Sequence, residues 1–263
     1  STLYARHMEV RLATGHGIKG GIVKTEGNIN MDEIETNLRE NEIAMYAPFS
    51  PKIFKVRMPS VYIQHMNGWM DTIVADPDLR KSHDHSHKLA GNLCYEMKME
   101  EDVWNYKPPT EKLSLGQWIE NLVKNYIKKI SEGIFIPSET NDTVVMKDFT
   151  IQEGWINDQY AGDFNPLHQH GGDISSVTFL KVPESITKGK EKEGAGYLVF
   201  ADGRCQKYTS TNFVQFPIEG IIYIFPNWLL HTVYPFRGEG VRRSMAFNAK
   251  VTTNHDILFF GQQ

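Results

Sequence analysis

The 263 residues include 32 acidic and 28 basic side chains, and the formal net charge of −4 offers no footing for nucleic acid or an anionic membrane, which need a basic surface. With 40% apolar and 23% charged residues, the composition is that of a globular chain able to bury a sizeable core as one domain with embellishments. No apolar run approaches the roughly 20 residues that span a bilayer, and two cysteines, Cys94 and Cys205, are too few for a disulfide framework, so reduced thiols in a cytoplasmic protein are expected.

Residues 1–7 are expected to be left over from cloning, with the native start at Met8, so His7 is set aside. Ile53 to Met58 is expected to be a strand. Pro59-Ser60 then opens a helix that sets Tyr62, Met66, Trp69, Met70 and Ile73 on one face and ends at Pro77. A second helix starts at Ser114, where Gln117 three residues on completes a capping box. Leu115, Trp118, Ile119, Leu122, Val123, Tyr126, Ile127 and Ile130 follow at helical spacing, and Gly133 closes it.

From Thr143 onward the pattern changes to short β-rich runs: Thr143–Met146, Ser176–Val182, Tyr197–Ala201, Ile221–Phe225, His231–Tyr234 and Arg242–Val251. Gly, Pro, Asn and Asp punctuate them closely, which predicts a sandwich or barrel rather than βαβ units. The stretch Thr187 to Gly196 is charged and glycine-bearing, and is expected to be a solvated surface loop rather than a moving lid. Residues 8–140 are thus expected to be a helix-and-strand region packing on a β core at 141–263.

His168-Gln169-His170 lies between a loop, Ala161 to Pro166, and the strand near Ser176. At strand spacing, positions two apart face the same side, so both imidazoles can converge on one point. His231 follows Phe225-Pro226-Asn227-Trp228 at the start of another strand. Two neighbouring ligands and a distant third make a three-ligand facial site with open positions. On the last strand Arg242, Ser244, Ala246 and Asn248 share a face, with Met245 and Phe247 on the other. An inward arginine is costly unless it meets an anion, and a guanidinium forks onto a carboxylate with a serine hydroxyl adding a third bond. Arg243, on the opposite face, is expected to be solvated.

Asn157, Tyr160 and Asn165 precede the triplet, and Asn165, three residues before His168, is the first choice for a co-substrate contact. Trp155, Phe200, Tyr223 and Trp228 are expected to line or support the barrel. His83-Asp84-His85-Ser86-His87 looks like a polar connector with adventitious metal affinity at most, while His16, His65 and His255 are isolated.

Three stretches resemble an iron(II)/2-oxoglutarate oxygenase family of bacteria and of tailed phages of marine bacteria, within the prolyl-hydroxylase-like superfamily. They are Phe164-Asn-Pro-Leu-His-Gln-His-Gly-Gly-Asp-Ile-Ser-Ser-Val, Gly220-Ile-Ile-Tyr-Ile-Phe-Pro-Asn-Trp-Leu-Leu-His-Thr-Val-Tyr-Pro and Arg242-Arg-Ser-Met-Ala-Phe-Asn. The segment Lys88-Leu-Ala-Gly resembles the phage members. The resemblance implies a mostly β fold with flanking helices around a double-stranded β-helix, the jelly-roll or cupin-like core. It implies Fe(II) on His168 and His231, 2-oxoglutarate with its far carboxylate on Arg242 and Ser244, and O2 as oxidant. The superfamily has His-x-Asp/Glu where this chain has His168-Gln169-His170, so the remaining ligand is His170 or a nearby carboxylate such as Asp173.

The function so implied is hydroxylation of an unidentified substrate coupled to 2-oxoglutarate decarboxylation. A prolyl residue is one target among peptide side chains, nucleotides and small metabolites, and the oligomeric state is open. Two alternatives stand beside it: a three-histidine cupin-type dioxygenase without an oxo-acid, and a non-catalytic jelly-roll binding module.

Overall fold

The computed structural model describes residues 51–88, 91–131, 144–187, 195–203 and 210–254. Residues 1–7, His16, Gly133, Cys205, His255 and most of the loop after Thr187 lie outside them.

Ten strands are found among the described residues: β1 (Phe54–Arg57), β2 (Tyr95–Lys98), β3 (Met146–Gln159), β4 (Asn165–His168), β5 (Ile174–Lys181), β6 (Leu198–Ala201), β7 (Asn212–Gln215), β8 (Ile221–Pro226), β9 (Leu230–Val233) and β10 (Arg242–Thr253). They form a six-stranded sheet in the order β1-β8-β5-β10-β3-β2 and a four-stranded sheet in the order β4-β9-β6-β7. This is the expected jelly roll. Its core is one cluster in which Val177 and Phe179 of β5 and Tyr223 and Phe225 of β8 meet Leu198 and Phe200 of β6 and Val233 of β9. Period-two alternation assigns the faces of the large sheet. Direct pairing sets Ser244 opposite Phe179, Ala246 opposite Val177 and Asn248 opposite Ser175, all on the inner face.

Two compact units divide the chain, Pro51–Val123 with Asp148–Thr252 and a smaller one of Ser1–Ser50, Lys124–Lys147 and Thr253–Gln263. In the smaller unit, Val145 and Asn254 are tied by two hydrogen bonds, the Val145 N–H donating to Asn254 Oδ1 at 2.7 Å and the Asn254 N–H to the Val145 carbonyl at 3.2 Å.

In the larger unit, helix α1 (Ser60–Ala75) buries Tyr62, Met66, Met70 and Ile73, so four of the five residues read as its apolar face are core. Pro77 does more than end it. Asp76 Oδ1 accepts from the N–H groups of Asp78 and Leu79, capping a short helix α2 (Pro77–His83) that has Pro77 at its start. After helix α3 (Glu101–Asn105), helix α4 (Leu115–Ser131) begins with the capping box read from the sequence. The Ser114 N–H donates to Gln117 Oε1 at 3.0 Å and the Gln117 N–H to Ser114 Oγ at 3.3 Å. The outer face of the large sheet is covered: Trp104 of α3 meets Phe247 of β10 edge-on, with ring centroids 6.4 Å apart.

That cover overturns the expectation for Arg243. It is 3% exposed, and its Nε and Nη2 donate to the two carboxylate oxygens of Asp158 at 2.6 and 2.8 Å. Nη1 donates to the Asn67 carbonyl at 3.0 Å and to Asp71 Oδ1 at 2.7 Å, binding α1 to the sheet. Burial alone would lower the Arg243 pKa, but the bonds to Asp158 and Asp71 outweigh it and raise it. Outward on this strand means towards helices rather than water. Arg243→Met strands the Asp158 carboxylate, itself 1% exposed, and is expected to cost about 3–5 kcal/mol of folding free energy in urea titrations.

A second correction concerns β3. The sequence marked a strand only at 143–146, whereas β3 runs to Gln159 and its last six residues are all buried. Asn157 therefore lies in a central strand, not on a loop approach.

Candidate metal centre

The three histidines come from two neighbouring strands and the turn beyond one of them. His168 ends β4 directly opposite His231 of β9, and His231 is in turn opposite Phe200 of β6. His170 lies beyond the end of β4, so strand alternation alone does not hold it. A clamp does: the His170 N–H donates to the Asn227 carbonyl at 3.1 Å, and Asn227 Nδ2 donates to the His170 carbonyl at 3.0 Å. Gly172 then turns the chain with φ +90°, and a Cβ there would meet the Ala249 carbonyl oxygen at 2.8 Å, so only glycine fits.

The result is convergence. One ring nitrogen from each of His168, His170 and His231 lies within 4.8 Å of the other two. Ring centroids are 4.3 Å apart for His168–His231, 4.8 Å for His168–His170 and 5.1 Å for His170–His231. Two tautomers follow from the partners. His168 Nδ1 lies 2.6 Å from the Pro166 carbonyl and His231 Nδ1 3.0 Å from the Leu229 carbonyl. A carbonyl only accepts, so each Nδ1 bears the proton and each Nε2 keeps a lone pair. The carbonyl at Nδ1 thus fixes each ring's orientation and leaves Nε2 free to bond.

Burial also keeps these rings neutral. The His231 pKa is pushed down to about 3, by burial first and then by the charge of His168. That of His170 falls to about 4 for the same reasons in the same order, against an opposing pull from Glu153, and burial lowers that of His168. Three neutral imidazoles converging on one point form a group that could hold a metal ion. The consequence for stability has a definite sign. Unfolded histidines take up protons near pH 6.5, while the folded rings resist until about pH 4 and 3, so the unfolded state binds more protons in that window. Stability of the metal-free protein is therefore full above about pH 6.5 and is lost as pH falls towards 3. Thermal melts in chelator at pH 7 and pH 4.5 should show this drop, and His231→Asn should shrink it; an undiminished drop would contradict the assignment.

Asp173 is turned elsewhere. Its Oδ2 accepts from the Val251 N–H at 2.9 Å, and its backbone bridges Ala249 and Asn227. Asn165 does reach the centre, with Nδ2 3.5 Å from His168 Nε2. Tyr160 is 40% exposed. Asn157 is buried on the inner face, and its Oδ1 has no hydrogen-bond partner among the described residues. Of the four aromatics expected to line the barrel, Trp155, Phe200 and Tyr223 are buried, whereas Trp228 in the β8–β9 turn is 54% exposed.

Arg242 is the second half of the site. It is 2% exposed, with its guanidinium carbon 4.8 Å above the Phe179 ring. Nη1 donates to Gln159 Oε1 at 3.0 Å, but Nε and Nη2 have no partner among the described residues. Burial pulls its pKa down to about 9, which still leaves it protonated at neutral pH. Ser244, 5% exposed, lies on the same inner face. Two adjacent arginines on one strand thus contrast sharply: Arg243 has two acids, and Arg242 has an amide oxygen and two unused donors. A buried cation of this kind lacks an anion.

The His83–His87 segment is not a simple connector. His83 packs edge-on against Trp69, with centroids 5.5 Å apart, while His85 is 6% exposed and turns into the barrel, its Nε2 3.6 Å from Glu153 Oε2. An isolated bridge between Asp84 and Met97 causes this by adding the segment to the edge of β2. Sequence reasoning missed Glu153, Gln159 and His85. The alternation Glu153-Trp155-Asn157-Gln159 would have found Glu153 and Gln159 as inward positions had β3 been read at its full length.

Residues 153–248, which hold both halves of the site, match a family described as "Putative 2OG-Fe(II) oxygenase". The match covers the stretch that carries the histidine cluster and Arg242, less than half of the chain. No curated protein matches in sequence. Among solved structures, a prolyl-4-hydroxylase from Pseudomonas putida is 14% identical, with 76% of this chain and 93% of that one covered at a TM-score of 0.41. The viral collagen prolyl hydroxylase of Paramecium Bursaria Chlorella virus-1, solved as a 2OG complex, is 11% identical over 75% and 94% of the two chains, at 0.42. HygX from Streptomyces hygroscopicus, solved with nickel, 2-oxoglutarate and hygromycin B, is 9% identical over 76% and 83%, at 0.41. Among the described residues, no helix is long and apolar enough to cross a membrane.

Proposed function

We propose that this protein is an iron(II)- and 2-oxoglutarate-dependent hydroxylase, with the metal on His168, His170 and His231 and the far carboxylate of 2-oxoglutarate on Arg242. The observation that carries the reading is the orphaned guanidinium. Among the described residues, Nε and Nη2 are buried donors without an acceptor in the same barrel as three neutral imidazoles. A carboxylate accepts two parallel bonds from such a fork, and the Ser244 hydroxyl, on the same face, is suited to a third.

When bound, iron(II) with O2 and the oxo-acid supplies the oxidant for a substrate C–H, leaving succinate and CO2. The chain's own residues do the rest. Carbonyls of Pro166 and Leu229 hold His168 and His231 in the tautomer that offers Nε2, and the Asn227 clamp fixes His170. Gln159 positions Arg242: its Oε1 accepts from Nη1, and its own Nε2 donates to the Asp163 carbonyl at 2.6 Å. Phe179, Tyr223 and Phe200 form a run of ring contacts from Arg242 to His231, an apolar wall that excludes water.

With three neutral ligands, the centre carries one negative charge fewer than a site with a carboxylate. Iron(II) would be more electrophilic there and more weakly retained. The test is oxygen-dependent conversion of 2-oxoglutarate to succinate by the iron-loaded protein without added substrate. Slow succinate formation that requires both iron and O2 is expected. Iron bound in full with no succinate formed would favour a three-histidine dioxygenase that needs no oxo-acid.

A further inference from the structure

The inner face of the large sheet carries a second polar group that the metal and the oxo-acid do not use. Glu153 of β3 is 30% exposed at its side chain and is held on two sides. His85 Nε2 lies 3.6 Å from its Oε2, and Asn248 Nδ2 lies 3.5 Å from its Oε1. Asn248 is itself fixed, because Ser175 Oγ donates to its Oδ1 at 2.8 Å in a buried pair. His85 is anchored by its own N–H, which donates to the Glu96 carbonyl at 2.8 Å. The carboxylate is therefore aimed by its neighbours rather than free to wander.

Its position relative to the histidines is also defined. Trp155, two residues along β3 on the same face, has its ring centroid 5.7 Å from that of His170 and 6.2 Å from that of His85. Glu153 is near enough to His170 for its charge to act on that ring. Along β10, Arg242 and Asn248 lie six positions apart, one at each end of the inward face. The oxo-acid anchor and the Glu153 group thus occupy opposite ends of one barrel, and at the Glu153 end Trp155 bridges His85 to His170.

We propose that Glu153, oriented by His85 and Asn248 beside the Trp155 indole, docks a cationic group of the substrate, an ammonium or guanidinium, next to the metal centre. This rests on the oxygenase reading and adds the substrate class to it. A partly exposed carboxylate held by two neighbours suits a cation, because a charge-assisted pair can form there. Asn248 and His85 act as positioning residues, since they touch the carboxylate and not the substrate.

The test uses two probes of equal length that differ in the terminal charge, Nα-acetyl-lysine methylamide and the Nα-acetyl methylamide of 2-aminoheptanoic acid, in which a methyl group replaces the ammonium. Their binding is measured by saturation-transfer NMR on metal-free protein and on protein loaded with zinc and 2-oxoglutarate. The lysine probe should bind about tenfold more tightly, the difference one charge-assisted contact supplies. Glu153→Gln should erase that preference and leave zinc content and 2-oxoglutarate affinity unchanged, while Asn248→Ala should reduce the preference in part. Equal binding of the two probes, binding of neither, or a preference that survives in Glu153→Gln would overturn the proposal. Loss of zinc in Glu153→Gln would overturn it too, by assigning Glu153 to the metal centre. Because the metal-free arm needs neither iron nor oxo-acid, failure of the oxygenase reading would show separately, as absent 2-oxoglutarate binding.

Discussion

Arg242→Met is expected to weaken 2-oxoglutarate binding by roughly 100-fold or more while leaving metal content unchanged. Two hydrogen bonds from a buried guanidinium to a carboxylate contribute about 3 kcal/mol or more between them, and methionine keeps the apolar stem and loses both. The same substitution carries an unusual second signature. In the resting protein Arg242 is a buried charge with two unpartnered donors, so replacing it with an apolar side chain of similar length should raise the melting temperature. Arg243→Met, one residue on, should lower it, because there the cation neutralises Asp158. Opposite signs at neighbouring arginines would be hard to obtain from a strand whose charges are merely structural. Calorimetric titration with 2-oxoglutarate and thermal melts of both variants check the pair. A destabilised Arg242→Met with unchanged oxo-acid affinity would make Arg242 a structural residue.

His231→Ala is expected to reduce iron(II) affinity by more than about 100-fold, beyond what losing a second-shell partner causes, and to abolish oxo-acid consumption. His231 is the most buried of the three, with centroids 4.3 Å from His168 and 5.1 Å from His170, and packs edge-on against Phe225 at 4.9 Å. Its loss also opens a gap in the core, so the fold should be checked by circular dichroism before the metal is measured. His231→Gln, closer in volume, separates the two effects. If either folded variant retains one iron per chain with unchanged affinity, the metal is held elsewhere.

Much of the site was legible in the sequence, for reasons that are physical and local. The His168-x-His170 spacing and the later His231 name the three rings that the fold brings together, and alternation along 242–248 correctly separated Arg242, Ser244 and Asn248 from Met245 and Phe247. What escaped depends on neighbours distant in the chain. Arg243 looked solvated because alternation identifies the outer face but not what covers it, and here Asp158 and Asp71 reach it from β3 and α1. The strand from Met146 to Gln159 was hidden because its first half alternates exposed and half-buried residues while its second half is polar and buried on both faces. Such a strand carries no period-two hydrophobic signal. His85 went unread because a single backbone bridge to β2 determines its burial.

The reading predicts that iron(II) and 2-oxoglutarate meet within one barrel, and a single titration tests that most directly. Under nitrogen, iron(II)-loaded protein is titrated with 2-oxoglutarate while the visible charge-transfer absorption of the chelated pair is recorded. A saturable band that reaches one equivalent, disappears in His231→Ala and requires far more oxo-acid in Arg242→Met is the predicted result. Iron bound at one equivalent with no band at saturating 2-oxoglutarate would contradict it.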